Sequence, residues 1–118
     1  MKVIDLHCDA LYKLWESNGT LSYANSPEID ANKERLMEGE IFVQAFAVFV
    51  DPSLEQDRQF ETALKQVDYF YEEILGKNPE IKHIKNWSDL STLQEGEIGA
   101  ILTLEGVGPI GNSMAKLR

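Results

Sequence analysis

Three side chains near the start of the chain could do chemistry together. In the stretch from Val3 to Leu11, apolar and polar residues alternate. Read as a strand with a period of two, Ile4, Leu6 and Cys8 point one way and Asp5, His7 and Asp9 the other. An imidazole and a carboxylate two residues apart at a strand end can grip one divalent cation. The plainer reading is a half-exposed strand with one wet face. Cys8 is the only cysteine, so no internal disulfide forms, and its direction opposite His7 predicts a buried apolar role rather than a catalytic thiol. His83, the other histidine, falls in a polar stretch read as a turn over 81–86 and predicts a surface position.

The chain around them has the size and composition of one ordinary domain: 118 residues, 43% of them hydrophobic. Eleven basic against 20 acidic residues give a net charge of −9. Such a surface repels phosphate backbones and anionic lipid, which argues against nucleic-acid and membrane partners. No stretch approaches the roughly 18 apolar residues of a membrane span, and no basic segment leads into an apolar one. With a single thiol, the expectation is a reducing, cytoplasmic setting.

The elements that must carry these side chains follow in order. Leu11, Leu14 and Trp15 recur at helical spacing until Asn18-Gly19 interrupts. Asp30 is the expected cap of a short helix ending at Glu38, with Gly39 just beyond it. Residues 41–50 (IFVQAFAVFV) form a β-branched and aromatic run, as expected of a strand buried on both faces. Gln44 interrupts it and needs hydrogen-bond partners, either a polar interior or the backbone. Ser53 to Gln56 reads as a capping box opening the longest helix. Phe60, Leu64, Val67, Phe70, Tyr71 and Ile74 form its expected apolar face, and Gly76 and Pro79 end it. Ser88 predicts a second short helix through Leu93. Residues 98–104 (IGAILTL) are a further buried strand, followed by Glu105-Gly106, and Ser113 predicts the start of another helix.

Alternating buried strands and helices predict an α/β fold with a parallel sheet. Chemistry in such folds gathers at the C-terminal ends of the strands. His7, Asp9 and Glu105 are all expected at that rim, though they are distant along the chain.

These residues resemble the membrane (renal-type) dipeptidases, zinc peptidase family M19. Residues 4–11 (IDLHCDAL) are similar to that family's opening Asp-x-His-x-Asp motif. Residues 36–39 (LMEG) with 43–46 (VQAF) resemble its second strand, and residues 98–106, ending in Leu104-Glu105-Gly106, its third. The resemblance implies the N-terminal portion, about three βα units, of a (β/α)8 TIM-type barrel, with residues 1–118 an incomplete barrel domain. It implies two zinc ions in the intact site, with His7 and Asp9 ligating one and Glu105 bridging both. A dipeptide would be the substrate, cleaved by a metal-bridging hydroxide. Asp5, on the His7 face, would be an outer acceptor that orients a ligand.

The resemblance also implies groups that are not found here. These are two histidines for the second zinc, a histidine near the oxyanion, an arginine for the substrate carboxylate and a late aspartate ligand. His83 lies in the wrong segment to replace any of them. The expectation is therefore an N-terminal part, inactive alone and able to hold one metal ion at most. An open sheet leaves unpaired edges, so the alternatives are a non-catalytic half-barrel that docks to a partner or to a second copy, pairing with the missing C-terminal part, or a small complete α/β domain of another kind.

Overall fold

The computed structural model describes residues 3–104. Four strands form one sheet, and every pairing is parallel: β1 (Val3–Asp5), β2 (Ile41–Val48), β3 (Ile81–His83) and β4 (Ile98–Leu104), in the spatial order β1-β2-β4-β3. Helices α1 (Ala10–Glu16) and α2 (Lys33–Glu38) precede β2, and α3 (Gln56–Tyr69) follows it. A π-helical segment, Phe70–Leu75, continues α3. The short α4 (Trp87–Ser91) leads to β4. This is an α/β parallel sheet, as the residue pattern predicts.

The centre of the sheet is β2 against β4, in register from Val43↔Gly99 to Val48↔Leu104. β2 is buried on both faces from Val43 to Val48, as the apolar run of a covered strand must be. β4 is buried from Ile98 to Ala100, half-buried from Ile101 to Thr103 and exposed at Leu104. Phe46 and Val48 join Leu11 and Leu14 of α1 and Phe70 and Ile74 in one core. The Phe46 ring meets Tyr23 edge-on at 5.6 Å and Phe70 at 5.6 Å.

Several local expectations are corrected. The first strand stops at Asp5, because the Asp5 Oδ1 accepts the His7 backbone N–H at 3.2 Å. That local turn removes His7 from any ladder. Of the expected inward face only Cys8 is buried; Ile4 and Leu6 are exposed, Leu6 at 79%. The cap of α2 is Asn32, whose side chain accepts from the Arg35 N–H, and Asp30 lies before it. The residue with left-handed backbone after α2 is Glu40 (φ 56°), one position beyond Gly39.

Ser53 forms no capping box, since its N–H goes to Asp51 Oδ1 and α3 starts at Gln56. The same bond from Ser53 lowers the Asp51 pKa. The buried face of α3 and its continuation is Thr62, Ala63, Gln66, Phe70 and Ile74, while Leu64 and Tyr71 are exposed. Small side chains at 62 and 63 bring that face close to its neighbours, and α3 packs against α1. His83 lies in strand β3, not in a turn, and its ring stacks edge-on against Phe70 at 5.1 Å and Tyr71 at 5.5 Å. Its desolvation there lowers its pKa, with Lys85 adding to the effect. Asn86, not Ser88, caps α4, in a reciprocal box with Asp89. The expected helix from Ser113 lies outside the described residues.

Candidate metal centre

The rim where β1 and β2 end is built by three backbone decisions. β1 ends at Asp5, α1 begins at Ala10, and residues 6–9 bridge them. The Ala47 N–H of β2 donates to the Cys8 carbonyl at 3.2 Å, which ties the middle of that bridge to the sheet. Asp9 occupies the cap position of α1, yet its side chain makes no capping bond. Aspartate is among the best capping residues. Here its carboxylate turns to His7 instead, with Oδ1 3.0 Å from Nε2. The two side chains are 48% and 59% exposed, so water and ions reach both.

They line a cleft of about 380 Å³ with Asp5, Cys8, Lys13 and Asp30. Three carboxylates face one ammonium there, which favours a cation over an anion. Gln44 is fully buried on β2. Its Nε2 donates to the Ala45 carbonyl at 3.0 Å, a backbone partner, while its Oε1 has no partner among the described residues.

Cys8 is buried, and burial pushes its thiol up to about 12, with the charges of Asp5 and Asp9 adding to the effect against a backbone hydrogen bond from Ala10. An inert thiol is the consequence. Iodoacetamide at about pH 8 should label the folded chain at least roughly 100-fold more slowly than the urea-unfolded chain. Equal rates, read by mass spectrometry, would show the thiol to be accessible.

His7 and Asp9 are therefore brought together, and Asp5, bonded to the His7 N–H, lines the same cleft. Glu105 lies outside the described residues. Its predecessor Leu104 pairs with Val48, beside the Ala47 that is tied to Cys8. Among the described residues no cluster of three or more His, Cys, Asp or Glu is arranged to hold a metal. The pair itself fits one: an imidazole nitrogen and a carboxylate oxygen suit zinc, and two donors on one tetrahedral ion with bonds of about 2.0 Å would lie roughly 3.3 Å apart. A larger cleft of about 510 Å³ opens at the opposite end of the sheet, where Ile41 and Ile98 begin β2 and β4. It offers glutamates and apolar side chains but no imidazole. Among the described residues no helix is long and apolar enough to cross a membrane.

The parallel sheet, with helices between its strands and an acid–imidazole pair just beyond the C-terminal end of β1, matches part of a (β/α)8 barrel in the solved structures. The chain belongs to the membrane dipeptidase family, peptidase family M19, whose model matches residues 1–118. A metallopeptidase from Rhodobacter sphaeroides, solved with a phosphinate mimic of the dipeptide L-Ala-D-Ala, is similar over 99% of this chain and 41% of its own, at 15% identity and a TM-score of 0.83. The M19 metallopeptidase dipeptidase AC is similar over 99% of this chain and 40% of its own, at 16% identity and a TM-score of 0.75. The chain thus spans about two-fifths of the solved structures it resembles. No curated protein matches the sequence.

Sequence reasoning passed over one residue of this rim, Gln66. It lies between the apolar positions 64 and 67, and nothing in its spacing marks it. The signal available was a polar residue one turn from Ala63 and Phe70, on what proves to be the buried face.

Proposed function

We propose that residues 1–118 form one partial-barrel domain and carry the first metal-binding half of a zinc-dependent dipeptidase site. The observation that supports this best is Asp9: a cap residue that leaves its helix uncapped and turns its carboxylate to within 3.0 Å of the His7 ring. In this reading His7 and Asp9 would hold one zinc ion, and Glu105, the residue after Leu104 in the sequence, would be a further ligand. Asp5 holds the His7 backbone through its N–H and so fixes where the ring starts from. Lys13, one turn into α1, tempers the negative charge of the cleft. Zinc bound there would acidify a water molecule and polarise a peptide carbonyl.

The dipeptide mimic in the Rhodobacter metallopeptidase supports a dipeptide substrate, one of the L-Ala-D-Ala type. The remaining three-fifths of such a barrel would supply the other zinc ligands and the groups that grip the substrate termini. Residues 1–118 alone, supplied with zinc, should therefore hydrolyse L-Ala-D-Ala no faster than buffer. Release of free alanine above background by homogeneous protein would show that the required groups are already in this chain.

A further inference from the structure

We infer that Gln66 is a positioning residue that fixes the His7–Asp9 segment by clamping the end of β2. Gln66 lies in α3 and is fully buried. Its Oε1 accepts the Phe49 N–H at 3.0 Å, and its Nε2 donates to the Phe49 carbonyl at 2.5 Å. Phe49 is the first residue beyond β2, so the sheet no longer pairs its backbone. The amide takes the place of a neighbouring strand, one donor and one acceptor matched to one acceptor and one donor.

Two links carry this clamp to the rim. Two residues before Phe49, the Ala47 N–H holds the carbonyl of Cys8, which lies between His7 and Asp9. The Phe49 ring meets Tyr12 edge-on at 5.3 Å, and Tyr12 sits in α1, the helix that starts directly after Asp9. The backbone and the ring of Phe49 thus brace both sides of the segment that presents the imidazole and the carboxylate. An apolar residue of the same length would fill the space equally well but would leave two backbone groups of Phe49 without partners.

The use of zinc affinity as a readout rests on the metal reading above; the clamp itself does not. Gln66→Met keeps the volume and removes the hydrogen bonds. Compared where both chains are fully folded, amide hydrogen exchange should show protection at Phe49 and Ala47 falling about tenfold. Zinc affinity should fall as well, by about threefold, less than the roughly tenfold or more that loss of a direct partner of a metal ligand costs, because Gln66 acts through Phe49. Gln66→Glu gives the rescue. A buried carboxyl stays protonated to higher pH than usual and can then donate and accept as the amide does. Phe49 protection should match the unsubstituted chain at about pH 5 and be lost as the carboxyl ionises.

Unchanged protection of Phe49 and Ala47 in Gln66→Met overturns the clamp. Loss at Phe49 with Ala47 protection and zinc affinity both intact confines Gln66 to a local structural role and overturns the positioning. If the unsubstituted chain takes up no zinc while both amides lose protection in Gln66→Met, the clamp stands and the metal reading fails.

Discussion

Replacing His7 by alanine should weaken zinc uptake by residues 1–118 about 100-fold or more, measured by equilibrium dialysis and metal analysis. Loss of an outer partner of a metal ligand already costs about 10–100-fold, and removal of a donor itself belongs at or above the top of that range. The imidazole supplies the only ring nitrogen among the described residues that line the cleft, beside the carboxylates of Asp5, Asp9 and Asp30 and the Lys13 ammonium. Without it the site keeps its charge and loses its preference for zinc over harder ions. Asp5→Ala should cost less, about tenfold, because Asp5 touches the His7 backbone and not the ring. Lys13→Ala removes a competing positive charge and should leave affinity equal or higher. A His7→Ala protein that retains zinc as the unsubstituted chain does would place the metal elsewhere.

The readable parts of the chain are those where one physical requirement acts alone. Strands β2 and β4 must be apolar on both faces, and no other element of this length asks for that, so residues 41–48 and 98–104 stand out. The failures arise where two requirements compete within a few residues. Alternation continues from Val3 to Asp9 on paper, but the Asp5 carboxylate takes the His7 N–H and the strand ends. Asp30 and Asn32 are both good caps. The Asn32 amide also reaches the Ser26 carbonyl at 3.0 Å, which anchors it in place and decides between them. Ser53 and Gln56 spell a capping box, yet Asp51 claims the Ser53 N–H first. Strand β3 has three residues, too few for any period to be counted.

The site was legible in a different way. Residue types at 5, 7 and 9 suggest chemistry, but a wet strand face has the same spelling. What separates the two is the direction of the Asp9 carboxylate, away from its own helix and towards His7, and no spacing encodes that. Gln66 shows the converse. Its role depends on α3 turning a polar position inward beside Phe70 and Ile74, which the apolar stripe places correctly, while Leu64 and Tyr71 of the same stripe are exposed.

Phe46→Ala should destabilise the chain by about 3–5 kcal/mol, the range for truncating a buried aromatic ring. Phe46 is fully buried at the meeting point of the sheet and the helical layer. Its removal deletes the transfer energy of the ring, opens a cavity and breaks two aromatic contacts, with Tyr23 and Phe70. Each such pair adds about 0.5–1.5 kcal/mol beyond area, which places Phe46 towards the upper end. Against a typical total of about 5–15 kcal/mol, one substitution removes a large share of the stability. The comparison that gives this meaning is Trp87→Ala. Trp87 is the larger ring but is 87% exposed, so its loss should change stability by about 0.5 kcal/mol or less. Urea denaturation followed by circular dichroism separates the two. A Phe46→Ala midpoint as high as that of Trp87→Ala would mean that the core is not organised around this ring. The consequence reaches the rim as well: Phe46 and Ala47 are adjacent in β2, and Ala47 holds the Cys8 carbonyl. A slackened β2 should therefore weaken zinc uptake in Phe46→Ala even under conditions where the chain remains folded.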